Sequence, residues 1–482
     1  LISYRWQKNT SNKKHYHPIS IIIYTISGLK ILLPILIFFL FRKGTTNISR
    51  AVLLLTITCV LVLSYSIIRY CFELYEITDQ KIVVYKGIFR KKESDIPYER
   101  IQSIHQRQWI FLKPFKLSSI VIKTAADVGE VNIPAVPTRI LHQIEGYKKN
   151  RQQIEQIPSK KSQFTYVISN FQIFLFGLTD VTVFAGIFTV LMFLQEHIPE
   201  RWLDQLENYT LNIIKVGWIL GLSLAILFVL IALVASLAKN FFQYYKFTVA
   251  RKHDTLVIER GFFARDIQNI PISKIQAVQI KQQAIRKLLH ISTVELILAG
   301  GGKDDDGADS SNQIRVLPII SDRKLFEVLK YLLPEGNICE PQLQFSSRGR
   351  ILYFWRWYLL AYLIVAFISY FLRLHWLVIA IASILLMFLL LMDWLDCHYQ
   401  GYALQANNRI CVQNFRIFTK VQTFVDRSKI QSFKESTSYW LYQKELGHFK
   451  LNLKAGSDNK ALGLRYIQKQ DVRRVAKFYR AI

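Results

Sequence analysis

Ile96-Pro97-Tyr98-Glu99-Arg100-Ile101-Gln102 recurs downstream as Ile270-Pro271-Ile272-Ser273-Lys274-Ile275-Gln276, and again as Val425-Asp426-Arg427-Ser428-Lys429-Ile430-Gln431. Each stretch closes on a basic residue followed by Ile-Gln. The first two are offset by 174 residues, and the same offset pairs Gly87 with Gly261 and Leu117-Ser118-Ser119-Ile120 with Ile291-Ser292-Thr293-Val294. The third lies 329 residues beyond the first and has diverged, with Arg416 in place of Gly and Asp426 in place of Pro. A pattern met three times at this spacing reads as a repeated structural unit.

The unit is built of strands. Alternation in Lys81-Ile82-Val83-Val84-Tyr85 and Thr255-Leu256-Val257-Ile258-Glu259, and the run 293–298, suit half-buried β-strands. Gly87 and Gly261 fit hairpin turns that need a positive φ, so Arg416 predicts a different turn in the third copy. Pro97 and Pro271 fit a strand entry or edge, because proline cannot donate to a central ladder. Amphipathic stretches at 138–147, 322–333 and 471–479 predict one closing helix per copy. The acidic, glycine-rich segment 300–311 predicts a solvated hairpin tip; it lacks the spacing and closing Glu of a calcium loop.

Apolar blocks precede each unit. Hydrophobic residues make up 51% of the 482-residue chain although 20% are charged, which predicts apolar segments in lipid and charged segments in water. A bilayer core of about 30 Å needs about 20 apolar residues as helix. Six stretches meet or approach that length, at 19–41, 51–68, 166–194, 213–237, 351–371 and 376–392. Short connections group them as three hairpins, and Tyr70, Trp202, Trp218, Tyr244, Tyr245, Trp355, Trp357 and Trp394 lie near the expected interfaces. The expected order is an arm (1–18), hairpin 1 (19–70), domain 1 (71–160), hairpin 2 (164–238), domain 2 (239–340), hairpin 3 (350–395) and a diverged domain 3 (396–482). The sequence begins at Leu1, not Met, so the natural N-terminus is expected upstream; the first apolar block is too long for a cleavable signal and lacks a small-residue cleavage site.

The net charge is +28, yet the three hairpin tips hold only Arg42, Lys43, Arg50, Arg201 and Arg373. Lys13, Lys14, Arg69, Lys239, Arg348 and Arg350 flank the spans on the other side, so both termini and all three domains are predicted cytoplasmic. The basic charge is first a topological signal and second a lipid contact, with Arg473, Arg474, Lys477 and Arg480 on the last helix as candidates for anionic headgroups. Nucleic acid is not expected, because no aromatic RNA-binding set accompanies the charge. Lys30 and Asp180 fall inside spans; a structural pair is the simpler reading, and a functional intramembrane site the alternative. Five scattered cysteines predict free thiols, the histidines form no metal-binding pattern, and no nucleophile or phosphate-loop motif occurs. Neither metal, cofactor nor enzymatic activity is therefore expected.

A hairpin, then strand–Gly–strand, then Ile-Pro-x-x-Arg/Lys-Ile-Gln resembles the bacterial PH-like (pleckstrin-homology-like) domain of the YdbS/YdbT membrane proteins. The triple arrangement and His17-Pro18-Ile19 before the first span are similar to the long members of that family. The resemblance implies a membrane α + β fold in which each hairpin is followed by a PH-like barrel or sandwich with a C-terminal helix. It also implies a plasma-membrane scaffold tied to envelope homeostasis or antimicrobial-peptide tolerance. Its partners would be membrane lipids and other proteins, a shorter single-domain family member among them. Arg416 and Asp426 weaken any shared ligand role for the third copy. A transport or export accessory built around Asp180 and Lys30 is the alternative.

Overall fold

The computed structural model describes residues 13–41, 48–88, 90–124, 130–152, 164–179, 230–231, 233–299, 313–345, 350–372, 376–405, 408–416, 418–455 and 458–480. Each signature stretch folds as strand, single 3-10 turn, strand. The strands are β1 (Lys92–Pro97) and β2 (Ile101–Trp109), β3 (Ala264–Pro271) and β4 (Ile275–Gln283), and β5 (Thr419–Asp426) and β6 (Ile430–Ser436). The intervening turns are Tyr98–Arg100, Ile272–Lys274 and Arg427–Lys429.

Every turn carries the chain from one sheet to the next. The first sheet runs Lys14–His15, Leu74–Ile77, Lys81–Lys86, β1. The second runs Glu130–Pro137, Leu117–Thr124, β2, β3, Thr255–Arg260, Thr248–Lys252, Phe164–Val167. The third runs Gln313–Ser321, Ile291–Leu298, β4, β5, Arg409–Arg416, Gly401–Gln405, Gln344–Phe345. The fourth holds β6, Leu446–Ala455 and Asp458–Gln468. Neighbours in all four are antiparallel.

Successive sheets enclose successive cores. Ile82, Val84 and Ile96 of the first sheet meet Ile104, Ile120 and Ile122 of the second, closed by Leu141 and Ile144 from the helix Arg139–Gln152. Leu256, Ile258 and Ile270 meet Val278, Ile280 and Leu296, closed by Leu325, Val328 and Leu332 of Asp322–Leu332. Ile410, Val412 and Val425 meet Phe449, Leu451 and Leu453, closed by Val472 and Val475 of Lys469–Arg480. Burial of such aliphatic side chains, worth roughly 1.5–3 kcal/mol each, is the main stabilising term. The third sheet is buried on both faces near its centre, with Ala277 in one core and Val278 in the other. Strands covered on both faces read as continuous apolar runs, and Ile291–Leu298 is buried at every position.

Among the described residues three helices are long and apolar enough to cross a membrane, against the six expected: Leu55–Phe72, Ile351–Phe371 and Val378–Tyr399. The helix Ser20–Phe41 is largely apolar, with Lys30 the one charged residue in it and Ser20–Leu32 the part whose side chains are described. Leu363, Phe367, Ile384 and Met387 stand out from the third hairpin, as side chains solvated by lipid would. Within that hairpin Tyr362 shares a hydrogen bond with Ser383, and the Trp355 indole donates to the Leu390 carbonyl.

Two expectations are corrected. The third span does not begin at 166: Phe164–Val167 is a strand paired with Thr248–Lys252, and the helix starts at Asn170. Ser169 caps that helix with a reciprocal Gln172 bond, satisfying end groups that would otherwise be orphaned. Most of 166–194 and 213–237, and the acidic tip at 300–311, lie outside the described residues. Secondly, Arg416 does not occupy the glycine position. Ile410 pairs with Val425 as Ile82 pairs with Ile96, so this strand runs one residue out of the sequence alignment. Arg416 ends the strand opposite Thr419, and the positive φ falls on Phe418.

Candidate functional site

The signature residues steer the backbone. Pro97, Pro271 and Asp426 share one extended conformation, with φ of −62°, −64° and −75°. Asp426 therefore replaces proline without altering the path, and its carboxylate pairs with Arg409 instead. Arg100, Lys274 and Lys429 each end a 3-10 turn. Arg100 is exposed, whereas Lys429 Nζ reaches the Ser273 carbonyl of the preceding turn at 3.3 Å. Ile101 and Ile430 point into cores, and Ile275 packs against one. Gln102, Gln276 and Gln431 are each skipped by the ladder, making them the extra residue of a β-bulge. Gly87 and Gly261 take φ of +107° and +106°, and a Cβ on Gly261 would collide with the Ala264 carbonyl.

Two strand junctions join the units. At the first, β2 pairs with β3 from Ile104↔Asn269 to Trp109↔Ala264. At the second, β4 pairs with β5 from Ala277↔Val425 to Gln283↔Thr419. The register is the same at both. The residue three before Pro271 or Asp426 faces the residue four after Ile101 or Ile275, giving Gln268↔His105 and Thr423↔Gln279. One hydrogen bond also recurs just past the ladder: Ile110 N donates to Phe263 O, and Ala284 N to Phe418 O, each at 2.8 Å. Ordering these residues from the sequence was out of reach. The usable signal was a polar residue facing inward at a matched position of each strand, seen in His105, Gln268, Gln279 and Thr423.

The two junctions differ in chemistry. The first buries Asp266 among Arg260 (3.2 Å), Gln268 (3.0 Å) and, across the ladder, Arg107. Burial alone would raise this carboxyl, but Arg260, helped by His105 and Arg107, outweighs it and holds it below the usual range. The second has an uncharged pair at its centre, Gln279 Nε2 donating to Thr423 Oγ1 at 2.9 Å, with charges beside it: Lys460 Nζ donates to Gln279 Oε1 at 3.1 Å, and the adjacent buried Glu295 is paired with Lys281 (2.5 Å) and Arg315 (3.2 Å). Burial, with Lys281 nearby, lowers the Lys460 ammonium from 10.5 to about 8.

Each hairpin foot is fastened to its sheets by polar groups. Only Glu73 separates the helix Ile48–Phe72 from the strand Leu74–Ile77, and only Gln400 separates Trp376–Tyr399 from Gly401–Gln405. Glu73, itself buried, accepts from Arg69 at 2.7 Å and from the Tyr24 hydroxyl of the partner helix. In the second unit buried Arg286 donates to Thr179 and Thr293 at 3.0 and 2.7 Å and lies over the Phe176 ring. In the third, Arg465 meets Asp396 at 2.8 Å, and Arg350 donates to the Tyr466 carbonyl at 2.9 Å. One intervening residue is too short for a flexible tether.

A groove of about 450 Å³ opens where the first junction meets a helix foot. Ile110, Phe262 and Phe263 form its apolar wall, and Lys113 and Lys246 its basic rim, where Arg265 is paired with Glu259 at 2.6 Å. The hairpin turn that builds it is held by Gly261 N to Tyr245 O (3.0 Å) and Phe262 N to Phe242 O (2.9 Å), just past the helix at 233–244. Ile110, Phe115, Phe262 and Phe263 are exposed large hydrophobics beside these bases. Sequence reasoning did not single out these residues, because the groove joins positions more than a hundred residues apart.

Of the other candidates, Lys30 is an exposed residue of the first hairpin, and Asp180 lies outside the described residues, as does any pairing between the two. Arg473, Arg474, Lys477 and Arg480 all face outward from the final helix, opposite its buried Val472, Val475 and Ala476. Among the described residues no group of His, Cys, Asp and Glu is placed to hold a metal. The five cysteines are free, with Cys397 and Cys411 buried and Cys71 and Cys339 exposed.

Comparison with known proteins places these features. The bacterial PH domain family matches residues 26–152 and 209–334. The transmembrane protein YdbT of Bacillus subtilis (strain 168) is 25% identical to this chain, over 97% of its length and 98% of that protein's.

Proposed function

Because the chain belongs to the bacterial PH domain family, we propose that it is a non-enzymatic membrane scaffold holding three PH-like units in fixed order on the cytoplasmic face of the plasma membrane. The observation that carries this reading is the strand pairing of β2 with β3 and β4 with β5 in one register, which makes a continuous platform of the three units. The short feet support it by fixing that platform to the hairpins. The pairing of Phe164–Val167 with Thr248–Lys252 supports the hairpin topology, since the chain leaves and returns on the same side of the sheet. The basic, aromatic groove and the outward bases of the last helix are the lipid contacts of this reading, each basic residue near the surface adding roughly 1 kcal/mol toward an anionic leaflet. Partners are other membrane proteins of the envelope, a single-unit family member included.

Two measurements test it. Labelling of exposed Cys339 by a membrane-impermeant maleimide is expected in inverted vesicles and not in intact cells; the reverse refutes the cytoplasmic placement. Cross-linking with mass spectrometry in native membranes is expected to join Lys113, Lys246 or Lys477 to other membrane proteins. A chain joined only to itself contradicts the scaffold.

A further inference from the structure

We propose that the platform continues between copies of this chain, with β6 of one copy pairing with β1 of the next in the register of the two internal junctions. Three strands precede a 3-10 turn and three follow one. Inside the chain β2 takes β3 and β4 takes β5, always a following strand beside the preceding strand of the next unit. That rule leaves β1 and β6 over. Each lies at the end of its sheet in the strand order, and among the described strands none pairs with its outer side. The two edges are complementary in kind, one of each type, so the contact is head-to-tail and either closes a ring or extends as a row.

The internal register fixes the contact residue by residue. The residue three before Pro97 is Ser94, and the residue four after Ile430 is Lys434, so these two face each other. Asp95 then faces Phe433, Glu93 faces Glu435 and Lys92 faces Ser436. The occupant is a second copy because the register that joins unit one to unit two recurs between unit two and unit three, and the edge that the same register requires beyond β6 is the one that β1 presents. Lys92, Glu93, Asp95, Lys434 and Glu435 keep both edges charged, which works against strand addition in general. In the internal register these charges produce one like-charge pair, Glu93 with Glu435, so the contact is weaker than the internal junctions and strengthens when that pair is removed.

Antiparallel partners sit about 4.5–5.5 Å apart at Cα, within disulfide range. The test uses the full chain in native membranes with Cys71 and Cys339 replaced by Ser. One tagged population carries Glu93→Cys, a second carries Glu435→Cys, and the two are co-expressed and oxidised. Both positions are exposed, so folding is not at stake. The expected product is a covalent dimer joining the two tags, at least tenfold more abundant than with Lys434→Cys in place of Glu435→Cys, which faces the opposite side of the strand. Equal yields from the two pairings, or no dimer from either, overturn the proposal. A product joining one chain to a different protein overturns the assignment of the second copy. A chain that forms these dimers and no links to other proteins upholds this inference while contradicting the scaffold reading.

Discussion

The two internal junctions have one backbone register and two chemistries. Around Asp266 the first is an ionic network in which Arg260, Arg107, His105 and Gln268 converge on one buried carboxylate. At the second the facing pair, Gln279 and Thr423, is uncharged, the charges lie to its sides on Lys460 and on Glu295 with Lys281 and Arg315, and the flanking Ala277 and Ile297 belong to the core of the third unit. The backbone pairing therefore sets the spacing of the units, and the side chains tune how each junction responds to its surroundings. The first depends on charge compensation, because neither Asp266 nor Arg260 can be buried alone without a large desolvation cost. The second depends on packing and one well-made hydrogen bond.

The comparison breaks most visibly at Asp266. Asp266→Ala leaves Arg260 buried without its counter-charge and is expected to cost about 3–5 kcal/mol, as removal of one member of a buried pair does. Thermal unfolding of the detergent-solubilised protein should fall by several degrees, and a loss no larger than that of a surface alanine would refute the network. Thr423→Val at the matched position of the second junction strands one Gln279 amide proton and is expected to cost about 1–3 kcal/mol. If Thr423→Val proves the more damaging of the two, the contrast between an ionic and an uncharged facing pair is wrong.

The smallest effect is a pH response confined to the second junction. Lys460 is at about 8 when folded against 10.5 ordinarily, so below pH 8 both states carry the proton and the burial penalty is fully present. Between about pH 8 and 10.5 the folded chain has released a proton that the unfolded chain still binds, so stability rises with pH across that window. Lys460→Gln should flatten this rise while leaving the rest of the pH profile in place. A profile unchanged by the substitution would remove Lys460 from the account.

Much of the unit was legible in the sequence, because each feature has a local cause. The helix Ile351–Phe371 has the bounds its apolar run predicts, and Gly87 and Gly261 take the positive φ that the turn requires. The Ile-Gln of the signature was visible as a pattern but not as a bulge, since a bulge is defined by the opposite strand. Tyr166 and Val167 read as the start of the third span because apolar residues just before a span look alike in a strand and a helix, and only Thr248–Lys252 decides between them. The joining of units was hidden for the same reason: an edge strand carries no mark of which strand lies beside it. Nothing in the sequence singles out Phe262 and Phe263, which the joining of the units sets beside Ile110 and Lys113.

Amide hydrogen exchange on the protein solubilised and diluted to single chains tests the continuous platform most directly. The account predicts that amides of Ile104–Trp109 and Ala264–Asn269 exchange as slowly as those of the interior strand Leu117–Thr124, while the outer amides of Lys92–Pro97 and Ile430–Ser436 exchange rapidly. Junction strands exchanging as fast as those two edges would contradict it, and would leave three units linked only by their hairpins.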